Sequence, residues 1–171
     1  LAAMKPGAKL VNGYGPTEST TFTACHTITS DDLELPTIPI GRPIPHTQVY
    51  ILDARMHPVP TGVRGQLFIG GGGLATGYHN RPELTAERFV RNPFSADPGA
   101  KLYASGDVCR WLPNGTIEFF GRGDSQVKIR GFRIETGEIE SVIGALPEVS
   151  QAVVTVAGDT ASDKFLAAYV S

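Results

Sequence analysis

Val108-Cys109-Arg110-Trp111-Leu112-Pro113-Asn114-Gly115-Thr116-Ile117-Glu118-Phe119-Phe120-Gly121-Arg122-Gly123-Asp124 is the stretch on which the fold turns. β-Branched and aromatic residues stand on both sides of Pro113-Asn114-Gly115, as in strands lying on a pleated, half-buried surface. Asparagine and glycine both tolerate positive φ, so these residues make a tight turn, and a hairpin of strands Val108–Leu112 and Thr116–Phe120 is expected. Gly121-Arg122-Gly123-Asp124 then breaks the pattern where two glycines permit large backbone rotation, and a hinge is expected there.

Working back from the hairpin, Gln48–Leu52 and Gly65–Ile69 read as further short strands, so the region from Gly41 to Arg122 predicts a small sheet or distorted barrel. One short helix interrupts it at Pro82–Phe89, where proline suits the first turn. Beyond the hinge, Gln126–Arg130 and Phe132–Ile134 read as strands. Thr136 is placed to cap a helix whose Ile139, Val142, Ile143 and Leu146 recur at helical spacing, and Pro147 is expected to stop it. Ala152–Val156 and Phe165–Val170 read as buried strands, and the chain ends at Ser171 on a βαββ pattern that lacks its next helix.

Composition bounds the function. A chain of 171 residues, 41% hydrophobic and 19% charged, has the size and composition of one ordinary globular domain or two small ones. No apolar run approaches the ~20 residues of a membrane helix, so no membrane partner is expected. Fifteen basic against seventeen acidic residues give a net charge of −2, which offers no field for a nucleic-acid backbone. Cys25 and Cys109 read as free thiols in a reducing compartment, and a cytoplasmic location is expected. The amino terminus has neither a start methionine nor a signal peptide, so a beginning inside a domain is expected. With 20 glycines and 13 prolines, well above the ~12% combined average, short strands and turns are favoured over long helices.

Two motifs hold side chains suited to a nucleotide. Asn12-Gly13-Tyr14-Gly15-Pro16-Thr17-Glu18 brings together a ring able to stack on a base, a hydroxyl able to donate to phosphate and a carboxylate able to hold Mg²⁺. It reads equally as a strand-to-turn connection with Tyr14 in the core. Tyr103-Ala104-Ser105-Gly106-Asp107 offers a carboxylate just past a turn, as chelation of vicinal ribose hydroxyls requires, although Ser-Gly-Asp is also an ordinary turn sequence.

These motifs, with Gly65–Gly70 through Gly77-Tyr78, with Asn80-Arg81-Pro82-Glu83-Leu84-Thr85-Ala86-Glu87-Arg88-Phe89, and with Gly121-Arg122 through Gln126-Val127-Lys128-Ile129-Arg130-Gly131-Phe132-Arg133-Ile134-Glu135 and Gly137–Glu140, resemble the adenylation domains of nonribosomal peptide synthetases over nearly the whole chain. The resemblance implies an α+β fold in three pieces. Residues 1–40 would end an α/β subdomain, 41–122 would form a distorted β-barrel, and 123–171 would be the hinge and the first part of a mobile C-terminal subdomain. It implies a parent enzyme that joins an amino acid to ATP as aminoacyl-AMP and passes it to the phosphopantetheine thiol of a peptidyl carrier protein, among neighbouring synthetase domains.

Position by position, the resemblance implies Tyr14 against adenine, Thr17 near the phosphates, Glu18 at Mg²⁺, Asp107 on the ribose hydroxyls and Arg122 close to the ribose. It puts Gly13, Thr21 and Phe22 in the amino-acid pocket and Asp124 at the hinge. Lys128, a candidate catalytic residue, and Gly131 fall in the loop that approaches pantetheine. Ala104, Ser105 and Thr76 depart from the family's usual arginine, threonine and arginine. A phosphate loop with lysine and the C-terminal catalytic lysine are absent from the sequence, so the chain by itself is expected to be inactive.

Some patterns are set aside at this level. Gly70–Gly73 fits no nucleotide-loop pattern and reads as a flexible loop, and His26, His46, His57 and His79 show no paired spacing for a metal. Arg122-Gly123-Asp124 and the Asn114-Gly115-Thr116 sequon admit an extracellular adhesion module. The sequence also admits a non-catalytic interaction module on the same scaffold, an acyl-CoA ligase-type enzyme, or an adenylation domain interrupted by another domain.

Overall fold

The computed structural model describes residues 4–123, 126–129, 132–158 and 163–171. The fold is α+β, with more strand than helix. It divides into two compact units, Leu1–Gly121 and Arg122–Ser171.

In the first unit, β1 (Val11–Tyr14), β2 (Ala24–Thr27) and β3 (Arg42–Pro43) form a small antiparallel sheet in that order. The main sheet is built from β4 (Thr47–Leu52), β5 (Gly65–Gly71), β6 (Phe89–Arg91), β7 (Lys101–Trp111) and β8 (Ile117–Arg122), with the order β4-β5-β7-β6 and β8 also on β7. A short α-helix, α1 (Pro82–Arg88), precedes β6 with proline in its first turn, as expected. The predicted hairpin is present: the Leu112 N–H donates to Thr116 O at 2.8 Å and the Gly115 N–H to Leu112 O at 2.9 Å.

Strand alternation gives the sheet two buried faces. Ile51, Leu67, Ile69, Tyr103, Cys109 and Ile117 pack on one side, and Leu52, Phe68, Leu102 and Ala104 on the other. Because the middle of β5 is covered on both faces, Leu67-Phe68-Ile69 reads in sequence as a continuous apolar run rather than an alternating one.

β7 is longer than the sequence suggests, beginning at Lys101 rather than Val108. Ser105-Gly106-Asp107 is therefore not a turn between strands. Gln66 pairs with Val108 and Phe68 with Ala104, so three residues of β7 face Leu67 alone. This is a bulge with two extra residues, and Gly106 supplies the positive φ of 79° within it.

In the second unit, β9 (Val127–Ile129) pairs with β10 (Phe132–Ile134), α2 (Thr136–Gly144) follows, and β11 (Ala152–Ala157) pairs with β12 (Phe165–Val170). Three expectations are corrected here. Thr136 is the first helical residue and buried, with Glu135 at the cap position, because the chain enters the helix straight from β10. Gly144 ends α2 three residues before Pro147. The last strands are not both buried: α2 packs on β11 and Val154 is enclosed, but Phe165, Tyr169 and Val170 of β12 are exposed. The Val154 N–H donates to the Glu140 carboxylate at 2.7 Å, linking α2 to β11. No helix among the described residues is long and apolar enough to cross a membrane.

Candidate functional site

The sequence from β1 to β2 folds into a tight connection. Thr17–Ser19 form one 3-10 turn, with the Ser19 N–H donating to Pro16 O at 3.0 Å. Thr20 and Thr21 follow with φ of 48° and 73°, a left-handed pair that branched side chains rarely adopt. The reversal is held by the Thr23 N–H on Tyr14 O at 2.7 Å. Gly15 is required at the crossing, since a Cβ there would sit 2.4 Å from Thr21 O.

The two motifs meet although they are 93 residues apart: the Tyr14 hydroxyl donates to Asp107 Oδ2. The Tyr14 ring also tilts against Phe119, centroids 6.3 Å apart, and packs on the edge of the main core. The two sequence readings of Tyr14, core residue and site residue, are therefore compatible. Burial first, and then the negative charge of Asp107, pushes the Tyr14 phenol well above its ordinary range, so it stays a donor. Burial and the same charge also push the Cys109 thiol up. Both cysteines are free, as expected.

Asp107 is aimed by the bulge. Its N–H donates to Ser105 Oγ at 3.1 Å, and Ser105 Oγ donates to Leu67 O at 2.7 Å. Ser105 thus makes a hydroxyl contact despite departing from the usual threonine, whereas Ala104 is a core residue.

Glu18 is buried on the 3-10 turn, and its carboxylate accepts the Tyr78 hydroxyl at 2.6 Å. The loop before Tyr78 is bound to the same turn, with the Ala75 N–H on Glu18 O at 2.8 Å and Thr20 Oγ1 on Gly73 O at 2.6 Å. The glycine run is accordingly not a free loop: Gly70 and Gly71 end β5, the Gly72 N–H donates to His46 O at 3.2 Å, and Gly73 O accepts Thr20 Oγ1. Burial, and next the bond to Glu18, holds the Tyr78 phenol protonated far above its ordinary range.

Thr17 is exposed beside buried Glu18. Gly13 lies against Phe22, so closely that a Cβ would stand 2.6 Å from Phe22 Cε1, and the half-exposed ring, with Thr21, forms an open apolar and hydroxyl edge. Tyr14, Glu18, Asp107, Gly13, Thr17, Thr21 and Phe22 all belong to the first unit. Arg122 ends β8, and Lys128 is the middle residue of β9, opposite Arg133. Asp124 and Gly131 lie outside the described residues.

Sequence reasoning misses Tyr78, which stands there only as one residue of a longer motif; nothing local ties it to an acid 60 residues earlier. It also misses His26–Asp32, 2.9 Å apart, where Asp32 further accepts the Thr29 N–H at 2.7 Å and hydroxyl at 2.8 Å. Those bonds, the Thr29 N–H foremost, hold the Asp32 carboxyl below its usual range.

No group of three or more His, Cys, Asp or Glu side chains able to hold a metal occurs among the described residues. Mg²⁺ characteristically takes only one or two protein carboxylates and fills its octahedron with phosphate and water oxygens. A buried carboxylate oriented by a tyrosine, beside an exposed threonine hydroxyl, is a donor set of that kind.

Comparison with known proteins finds relatives over nearly the whole chain. The family model for AMP-binding enzymes matches residues 1–79. The chain is 56% identical over 165 residues to a linear gramicidin synthase of Brevibacillus parabrevis, covering 96% of this chain and 2% of that protein. It is 52% identical over 164 residues to tyrocidine synthase 3 of the same organism, again covering 96% of this chain and 2% of that protein. Among solved structures it superposes on PA1221, an NRPS protein containing adenylation and PCP domains, with a TM-score of 0.82 and 37% identity, covering 96% of this chain and 33% of that one. The artificially fused adenylation-PCP di-domain NpsA-ThdA from Klebsiella oxytoca gives a TM-score of 0.79 at 32% identity, covering 95% of this chain and 32% of that one. The chain thus spans a small part of these synthetases and about a third of the solved proteins. It belongs to the AMP-binding enzymes, as a segment of an adenylation domain of the nonribosomal-peptide-synthetase type.

Proposed function

We propose that this segment holds the nucleotide during amino-acid activation in a larger cytoplasmic synthetase. There an amino-acid carboxylate oxygen attacks the α-phosphorus of ATP, pyrophosphate leaves, and the phosphopantetheine thiol of a carrier protein, losing its proton, then attacks the carbonyl of the aminoacyl-AMP to take the aminoacyl group as a thioester with AMP as the leaving group. The observation that carries the reading is the convergence of Tyr14 with Asp107, and of Glu18 with exposed Thr17, on the same short connection.

In this reading the Tyr14 ring lies against adenine and Asp107 accepts the ribose hydroxyls, exchanging the bond from Tyr14 for bonds from the sugar. Thr17 donates to the phosphates. Glu18 would hold Mg²⁺, which when bound neutralises phosphate charge. Gly13, Thr21 and Phe22 border the amino-acid side chain, and the apolar Phe22 favours an uncharged one. Arg122 bears on the ribose, Asp124 is the pivot, and Lys128 with Gly131 serves the pantetheine stage. The segment alone has no lysine-bearing phosphate loop to stabilise the charge developing on the transferred group, so it is proposed to be inactive by itself.

The test is ATP–pyrophosphate exchange with each of the twenty amino acids, on the intact synthetase and on the isolated chain. Exchange with one or a few amino acids in the former and none in the latter is expected. Asp107→Asn in the synthetase should raise the ATP concentration for half-maximal exchange about 10–100-fold, equivalent to ~1.4–3 kcal/mol for a lost charged hydrogen bond. Silence of the intact synthetase with every amino acid would refute the proposal.

A further inference from the structure

The bond between Tyr78 and Glu18 belongs to a continuous support that starts on α1. Thr85 Oγ1 is anchored to Arg81 O at 2.8 Å and accepts the Tyr78 N–H at 2.9 Å. Gly77 lies flush on Thr85, where a Cβ would fall 2.4 Å from Thr85 Cγ2. The Tyr78 ring meets Phe89 edge-on at 5.6 Å, and Phe89 in turn meets the enclosed ring of Tyr103 at 5.2 Å. Backbone, ring and hydroxyl of Tyr78 are each held by a different neighbour.

The turn that carries Glu18 is slighter. Thr17–Ser19 is a single 3-10 turn, too short to fix a three-torsion side chain, and the left-handed Thr20 and Thr21 follow it directly. Two restraints reach Glu18 from the 73–78 loop: the Ala75 N–H on its carbonyl and the Tyr78 hydroxyl on its carboxylate. A hydroxyl on one carboxylate oxygen restrains the plane of the group and hence the direction in which the other oxygen points.

We infer that Tyr78 is a positioning residue for the divalent cation that accompanies the nucleotide, orienting the Glu18 carboxylate from α1 through the 77–78 backbone. The inference rests on the reading of Glu18 as the metal carboxylate. Partners that orient a ligating group typically change metal affinity 10–100-fold when removed.

The experiment is an electron paramagnetic resonance titration of Mn²⁺ into the intact synthetase saturated with a non-hydrolysable ATP analogue, read as Mn²⁺ Kd without turnover. Tyr78→Phe keeps the ring against Phe89 and should raise that Kd about tenfold, leaving analogue affinity in the presence of chelator unchanged. Thr85→Val, which removes the anchor of the Tyr78 N–H, should raise it by a smaller factor. In a Glu18→Gln background Tyr78→Phe should add nothing further. An unchanged Mn²⁺ Kd in Tyr78→Phe, or an equal effect in the Glu18→Gln background, would overturn the inference while leaving the nucleotide reading intact. A wild-type synthetase that binds the analogue but holds Mn²⁺ no more tightly than the free analogue does would overturn both.

Discussion

Tyr14→Phe tests the join between the two halves of the nucleotide site without any ligand. Asp107 is 5% exposed and accepts the Tyr14 hydroxyl, so the substitution leaves a buried carboxylate short of a donor. A hydrogen bond to a charged group contributes ~1.5–3 kcal/mol, and a loss of about 2 kcal/mol at pH 7 is expected. The sign of the pH dependence follows from the raised phenol. The folded state holds its proton above the unfolded value of 10.0, so the stability from this bond is fully present below pH 10 and is lost as pH rises. Each further pH unit removes ~1.4 kcal/mol from the wild type and nothing from the phenylalanine variant. The difference of about 2 kcal/mol should therefore vanish near pH 11.5, about 1.5 units above the onset. Other titrating groups cancel between the two proteins. Urea unfolding followed by the fluorescence of Trp111, the sole tryptophan and part of β7, would report this unit from pH 7 to 12. A difference that stays constant from pH 9 to 12 would show that the hydroxyl is not held protonated against Asp107.

Three more outcomes are expected. Ile69→Ala, at a fully enclosed position paired with Tyr103, should cost about 3 kcal/mol in urea unfolding, within the ~2–5 kcal/mol range for such truncations. Gly106→Ala forces a side chain onto a φ of 79° and should cost ~1–2 kcal/mol while lowering nucleotide affinity, both measurable on one protein by unfolding and calorimetry. Asp32 has a depressed pKa, so its contribution is present above the unfolded value of 3.8 and is lost as pH falls. Asp32→Asn should flatten the acid limb of the stability profile below pH 4 and leave the alkaline limb unchanged, as circular dichroism from pH 2 to 11 can check.

What sequence reveals here is what local chemistry dictates. Pro113-Asn114-Gly115 selects its turn locally, with Gly115 taking the positive φ of 78°, Pro82 suits the first turn of a helix, and Phe165–Val170 reads as a strand from its own residues. The misreadings lie where a partner strand decides. Ser105-Gly106-Asp107 has turn composition, but pairing with β5 keeps it inside β7 and converts the turn into a bulge. Phe165 and Tyr169 have core composition, yet burial depends on what covers their face, and α2 covers the other one. The same holds for the site. Residue type and family resemblance point to Tyr14, Glu18 and Asp107, whereas the bonds Tyr14–Asp107 and Tyr78–Glu18 span 93 and 60 residues and follow from sheet topology.

The bulge in β7 also has an arithmetic of its own. An insertion of one residue would reverse inside and outside for every position beyond it, but two extra residues restore the alternation: Tyr103 before the bulge and Cys109 after it enter the same cluster. The carboxylate is thus carried on a parity-neutral excursion that the rest of the strand does not register. Removing Gly106 and Asp107 would leave a smooth ladder with its packing pattern preserved and its acid gone. Removing one alone would turn one half of the strand's core face toward the wrong side. Selection can therefore vary the length and content of this excursion in steps of two without redesigning the sheet that bears it.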